Sequence, residues 1–327
     1  MTNPFIEREQ IVDPERFTGR WAELSQIFER LEAGRPVLIS GVPKIGKSSL
    51  LNHIVQSAAV NLEIPELQGF YLDLVGANSS AAVYETVIRA VGGRGDTASA
   101  LEIALIERGD PVLLCLDNAQ AAFEQPWGEI LLEALARIVR GGLLMLVVAM
   151  TGRPPTLSER FAYMTLGAMG PPEVRLMTEA YLDATNVRFT PAELNEISRL
   201  STGHPAYIQR AAYHLFEHKQ RPDHDWRAAY LAEARDMPVP GAPLPPGVFE
   251  GQHQGQSGQA TYNDLPTEQA VVYPQLAAVP NTSRWLLWLI PFAVAFVVML
   301  FTQQIVFAAL AAGLIIAGLL LLMRSLH

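Results

Sequence analysis

Apolar positions recur along the chain with two periods. Trp21, Leu24, Ile27, Phe28 and Leu31 fall at helical spacing within residues 20 to 33, and Gly34 sits where a left-handed cap would end the helix. The short run Val37-Leu38-Ile39 follows and reads as a strand. A loop of Gly, Pro and Lys comes next, and then Leu50, Leu51, Ile54, Val55 and Ala58 resume helical spacing. Further short apolar runs at Phe70 to Leu74, Val112 to Leu116 and Leu143 to Val148 alternate with helical stretches at 79–91, 97–108 and 127–139. Strands alternating with helices of that length predict an α/β fold, a parallel sheet covered by helices on both faces.

The pattern changes near residue 176, where strand signals stop and helical ones take over. Thr190-Pro191-Ala192-Glu193 has the form of a capping box with proline at the first helical position, feeding Leu194, Ile197 and Leu200. Pro205 opens a helix whose Ile208, Ala211, Ala212 and Leu215 share a face, and residues 224–235 supply a third. The chain therefore divides into an α/β core at 1–175, a small all-helical subdomain at 176–236, a disordered linker rich in Pro, Gly and Gln at 237–283, and a terminal apolar segment at 284–324. A flexible linker of about 47 residues would span roughly 40 Å.

That terminal segment holds two uncharged apolar stretches, Trp285 to Phe301 and Ile305 to Met323, which as helices measure about 25 and 28 Å, each near one bilayer thickness. A transmembrane hairpin turning at Thr302-Gln303-Gln304 is expected, with Arg284 and Arg324 holding both ends on the cytoplasmic side and Trp285 and Trp288 at the interface. Ala309, Gly313 and Ala317 form a small-residue stripe along which helices could approach. This places the protein in the cell membrane through two helices, in contact with lipid, with the preceding domains cytoplasmic. The opening MTNPFIEREQ lacks a basic region followed by an apolar one, so no cleavable signal peptide is expected.

Composition narrows the chemistry. The 327 residues carry a formal net charge of -9 with no dense Lys/Arg stripe, so nucleic acid is not expected as a partner. The single cysteine, Cys115, excludes an intrachain disulfide and lies in an apolar run, as a buried small hydrophobe would.

Gly41-Val42-Pro43-Lys44-Ile45-Gly46-Lys47-Ser48 matches the phosphate-loop pattern G-x-x-x-x-G-K-[ST], between a strand and a helix as that chemistry requires. Backbone N–H groups can then curl around phosphates while the following helix points its positive end at them. With the adjoining Ser49, these are the candidate nucleotide-binding residues. Lys47 would reach the β- and γ-phosphates of ATP and the hydroxyl of Ser48 would ligate Mg²⁺. Val112-Leu113-Leu114-Cys115-Leu116-Asp117 ends on the acid expected to face the metal, so Ser48 and Asp117 are the candidate metal residues. Asn118 follows, and an amide is a poor base, so hydrolysis is expected to be slow unless Glu124 or a group from another subunit substitutes. Arg153, after the strand ending Met150-Thr151-Gly152, is a candidate γ-phosphate sensor. His214 and His218 stand at i, i+4 with His224 nearby, but an exposed helical face accounts for them better than a metal set.

Five segments in order, Phe17-Thr18-Gly19-Arg20-Trp21-Ala22-Glu23-Leu24, GVPKIGKSSLL at 41–51, LCLDN at 114–118, MTGR at 150–153 and Ser201-Thr202-Gly203-His204-Pro205, resemble the STAND branch of AAA+-like ATPases, kin to origin-recognition ATPases. The resemblance implies a P-loop ATPase core with a helical lid, in which Gly19, Arg20 and Pro205 border adenine and ribose. Two departures stand out. Asn118 replaces the family's usual acid, and a membrane hairpin follows the lid where a winged-helix or repeat domain is usual. The expected function is a membrane-anchored switch between ATP and ADP forms that assembles with itself or with an unidentified protein partner. The alternatives are an effector whose hairpin oligomerises to perturb the bilayer, and a DNA-handling ATPase of the origin-recognition kind.

Overall fold

The run from Val37 to Ser40 offers no strongly polar side to turn toward water, so it is stable only as a strand covered on both faces. In the computed structural model, which describes residues 2–6, 8–152, 157 and 160–248, β1 (Val37–Gly41) occupies that position and is buried from Val37 to Ser40. It pairs in parallel with β4 (Leu144–Thr151) on one side and β5 (Ala162–Thr165) on the other. Beyond β4 lies β3 (Val112–Asp117), buried along its whole length, and then β2 (Gln68–Asp73) at the edge. The sheet is five-stranded in the order β2-β3-β4-β1-β5.

Alternate residues of these strands feed two cores. Val37, Ile39, Leu113, Cys115, Val147 and Ala149 face α1 (Trp21–Glu32) and α2 (Lys47–Asn61), whose Leu24, Ile27, Leu50, Leu51 and Ile54 fill that layer. Leu38, Leu114, Leu116, Leu146 and Val148 face α3 (Ser80–Ala90), α4 (Ala98–Arg108) and α6 (Trp127–Val139), while α5 (Gln120–Phe123) is a single turn after β3. Local chemistry sets the helix ends: Ser79 and Thr97 accept from the amides of Ala82 and Ala100, and Gly34 adopts the left-handed conformation after α1. Cys115 is fully buried, and desolvation holds its thiol far above the usual range.

Two elements had no distinct periodic signature. β5 has only four residues, and its place is decided by pairing, with the Ala162 amide donating to Pro36 O and the Leu166 amide to Ser40 O. α7 (Pro171–Leu182) begins before the expected helical boundary at 176, its first turn held by Glu173 Oε2 accepting from the Gly170 amide at 2.9 Å. α8 (Pro191–Ser201), α9 (Pro205–Gln220) and α10 (Trp226–Asp236) complete the lid. The Thr190 box forms as its sequence predicts, Thr190 donating its amide to Glu193 Oε2 and receiving the Glu193 amide on its hydroxyl.

The lid core around Ile197, Tyr207, Ile208, Leu215, Phe216 and Tyr230 also takes in both flanks. Phe5 is fully buried there and stacks on Tyr181 at 5.2 Å. Residues 237–248, in the stretch expected as a linker, are packed: Val239 and Val248 are buried and the Val239 amide donates to Tyr207 Oη at 2.9 Å. Lacking a helical or strand period, this Pro/Gly segment is ordered through single apolar anchors on a preformed surface. Among the described residues no helix is long and apolar enough to cross a membrane, and the expected hairpin at 284–324 lies outside them, as do residues 249–283.

Gly203 carries the tightest lid contact. Its φ is 73°, a Cβ there would lie 2.2 Å from Met169 O, and its own carbonyl accepts from the Met169 amide at 2.8 Å. Gly203→Ala is therefore expected to destabilise the protein by about 2 kcal/mol or more, read from chemical denaturation. A midpoint equal to wild type would show that this close approach is not required.

Candidate functional site

The phosphate-loop segment is shaped from three sides. Gly41 ends β1 where a Cβ would meet Ile45 Cγ2 at 3.0 Å and Leu166 O at 3.1 Å, so only glycine lets the chain turn there without displacing a neighbour. Lys44 (φ 58°) and Gly46 (φ 103°) are left-handed on either side of Ile45, whose side chain is buried in the α1–α2 layer and pins the loop. Such alternation turns successive amides toward one concavity, and α2 starts immediately after it, so the bend has the form of an anion nest at a helix N-terminus. Lys47 is 7 % exposed and its Nζ donates to the carbonyls of Gly41 and Val42, both at 2.9 Å. Burial pushes its pKa down, opposed by Asp117. A buried cation beside a nest of amides selects for an anion.

The acidic side comes from the sheet. Asp117 is 1 % exposed; its Oδ2 accepts from the hydroxyl of Tyr71 at 2.7 Å and its Oδ1 from the amide of Asn118 at 2.8 Å. Tyr71, on β2 in register with Cys115, has no sequence motif; its phenol is held far above its ordinary pKa, first by burial and then by Asp117. Asn118 is left-handed (φ 54°), a conformation asparagine tolerates better than most residues. Its Nδ2 donates to Asp73 Oδ1 at 2.9 Å and its Oδ1 accepts from Gln120 Nε2 at 3.3 Å, while Gln120 Oε1 accepts the Thr151 amide at 2.9 Å. Glu124, the expected substitute acid, is exposed at the end of α5, and Arg153 lies outside the described residues.

Arg20 is buried at 3 % exposure. Its guanidinium pairs with Glu23 at 2.9 Å and donates to Ile45 O at 3.2 Å and Gly167 O at 2.7 Å, and its amide donates to Glu173 Oε1 at 2.9 Å. One residue thus joins α1, the loop and the exit of β5 through its side chain, and the lid through its backbone amide. Gly19, at φ 78°, shapes the turn before it. His204, at the start of α9, sends Nε2 to Pro43 O at 3.2 Å; burial lowers its pKa to about 4, so it is neutral at physiological pH and donates that proton.

Between these parts lies a cavity of about 410 Å³, within the range of small-molecule sites. It brings together Arg20, Pro43, Lys44, Ile45, Gly46, Lys47, Ser48, Ser49, Asn118 and Pro205. Gly19, Gly41, Val42 and Asp117 stand behind this lining rather than on it. The apolar lining by Ile11, Phe17, Met169 and Met177 has no signature in the sequence, because those residues come from two stretches far apart in the chain. The N-terminal strap closes it: Arg8 pairs with Glu233 of α10, and the Ile11 amide donates to the hydroxyl of Ser49 at 2.9 Å. The lid histidines are not an exposed face, since His214 bridges His224 at 3.2 Å and Glu233 at 2.9 Å with its side chain 13 % exposed. Among the described residues no group of three or more His, Cys, Asp or Glu side chains is arranged to hold a metal ion.

The parallel order β2-β3-β4-β1-β5, the nest between β1 and α2, and the helical subdomain that follows are those of a P-loop nucleotide-binding fold. No protein-family model matches the sequence, and a search of curated proteins gives no match. Among solved structures the chain is similar to the Walker-type ATPase paby2304 of Pyrococcus abyssi, at 16% identity and TM-score 0.53 over 71% of this chain and 76% of that one. Similarity also extends to the Aeropyrum pernix ORC1 protein solved in complex with DNA (16% identity, TM-score 0.49, 71% and 69% covered). Domain III of the Thermotoga maritima replication initiation protein DnaA matches at 15% identity and TM-score 0.46, with 69% and 96% covered. The first of these likenesses supports the fold and, at that identity, nothing finer.

His204 gives the site a pH signature. A folded value of about 4 against an ordinary 6.5 means that, in this window, unfolding takes up a proton, so stability falls as pH drops from 6.5 toward 4 and is level above 6.5. His204→Gln, which keeps an N–H donor for Pro43, is expected to remove up to about 3 kcal/mol of that pH dependence. Urea midpoints at about pH 5 and about pH 7.5 check this; a variant with the same pH slope as wild type would exclude the assignment.

Proposed function

We propose that this chain is a nucleotide-dependent switch: ATP with Mg²⁺ binds between the phosphate loop and the lid, hydrolysis is slow, and the two nucleotide forms differ in how the lid is held. The observation that carries the reading is the shared wall of the cavity, where the lid's His204 bonds the loop carbonyl of Pro43. A ligand that reorders the loop must act on that bond, which gives the differential interaction a switch needs. The nest at Lys44 to Gly46 and the buried Lys47 would take the β- and γ-phosphates, and the apolar end near Met177 and Pro205 suits a purine face. Ser48 and Asp117 would hold Mg²⁺, which neutralises phosphate charge when bound. The residues present fit that group, since Asp117 is a buried carboxylate behind the loop.

The apolar stretches at 285–301 and 305–323 would tether this switch to the cytoplasmic side of the cell membrane, as the STAND-like motif order with a hairpin in the sensor position suggests. Closed forms would then meet on a two-dimensional surface, where self-association is favoured by local concentration. The ORC1 neighbour was solved with DNA, but the net charge of -9 favours protein and lipid over a polyanion.

Lys47→Ala is expected to weaken nucleotide affinity by roughly a hundredfold, measured by titration of a fluorescent ATP analogue. In detergent, mass measurement should give a larger assembly with ATP than with ADP; the same mass in both states removes the switch. Arg8→Ala, which frees the strap from Glu233, is expected to raise the nucleotide dissociation rate by about tenfold in stopped-flow release; an unchanged rate would mean the strap does not retain the ligand.

A further inference from the structure

The amide at Asn118 leaves the site without the acid usual after Asp117, yet strand pairing brings another carboxylate to that point. Asp73 and Asp117 are register partners on the adjacent strands β2 and β3, so both leave the same face of the sheet at its C-terminal edge. Asp73 Oδ1 accepts from Asn118 Nδ2 at 2.9 Å and from the Val75 amide at 2.8 Å. Its carboxylate is exposed, and among the described residues its Oδ2 receives no hydrogen bond. A local turn role explains the Val75 bond. It does not explain the bond from Asn118, which belongs to a row running from the Thr151 amide through Gln120 and Asn118 to Asp73 across the ends of β4, β3 and β2. Asn118 and Thr151 line the cavity, and Asp73 stands one hydrogen bond behind Asn118 at the end of this row.

We propose that Asp73 is the general base for nucleotide hydrolysis and that Asn118 is the positioning residue that aims it. The inference rests on the reading of the cavity as an ATP site. In the step, a water oxygen bonds to the γ-phosphorus while its proton passes to the free oxygen of Asp73. The bond from that phosphorus to the β–γ bridging oxygen breaks, and ADP leaves with the electron pair. Asp73 then returns the proton to solvent.

The test is Asp73→Asn in the full chain. Turnover is expected to fall by about a hundredfold, while affinity for Mg²⁺-ATP and melting temperature stay at wild-type values. Nucleotide recovered from the gel-filtered variant should be ATP where wild type yields ADP. The double variant Asp73→Asn/Asn118→Glu should regain at least about tenfold of the lost rate, because it restores a carboxylate at the position directly after β3 that bonds residue 73. The inference is overturned if Asp73→Asn turns over at the wild-type rate, if the double variant regains nothing, or if wild type binds ATP without hydrolysing it. Absence of ATP binding by wild type would instead bring down the cavity reading itself, so the two failures are told apart by the binding measurement.

Discussion

A single buried arginine holds the parts of this molecule in relation to one another. Arg20 lies at a left-handed turn before α1 and spends its donors on Glu23, on the loop carbonyl of Ile45 and on Gly167 after β5. Its own amide is given to Glu173 on the first lid helix. Taking such a charge out of water is tolerable only when its hydrogen bonds are met, so each partner is constrained to remain in place. The phosphate loop, the exit of β5 and the lid are thereby referenced to one residue, the first two through its guanidinium and the third through its amide. The motif residue that resembles a ribose neighbour works here as a structural clamp that also lines the cavity.

The lid depends on this clamp and on two weaker ties. His204 touches the loop through Pro43 O, and the N-terminal strap spans both sides, buried at Phe5 in the lid core and bonded at Ile11 to Ser49 of α2. These contacts are few, polar and close to the cavity, whereas the lid core itself is apolar and continuous. A helical subdomain joined to the core through a few hydrogen bonds beside the cavity is the arrangement that the proposed closure would act on. The strap and the segment 237–248 approach the lid from opposite ends of the described chain, which makes the lid sensitive to both flanks.

The acidic face is built by pairing rather than by any contiguous motif. β2, the edge strand, contributes Tyr71 and Asp73, and β3 contributes Asp117 with Asn118 directly after it. Parallel neighbours in register share a face, so the tyrosine reaches the buried aspartate, while the left-handed turn at Asn118 just after β3 accompanies its bond to the exposed one. A sheet that twists at its edge could not hold these distances without the central strands, and β3 supplies that rigidity by being buried at every position.

Much of the core was legible in sequence because it is dictated locally. The period of Leu24, Ile27 and Leu31 fixes a helix, the run Val112 to Leu116 fixes a buried strand, and glycine at 41 and 46 with Lys47 and Ser48 fixes the phosphate loop. Other features were not legible because their causes are distant in the chain. β5 is a strand only because Pro36 and Ser40 offer it hydrogen bonds, and Val239 is ordered only because Tyr207 and the lid surface already exist. The sequence by itself determined the elements, the alternation and the phosphate-binding bend, since these follow from side-chain period and backbone conformation over a few residues. Tertiary structure alone decided that Arg20 is a clamp, that the strap closes the cavity and that Asp73 meets Asn118, since each of these joins groups that only the folded sheet and lid bring within hydrogen-bond reach.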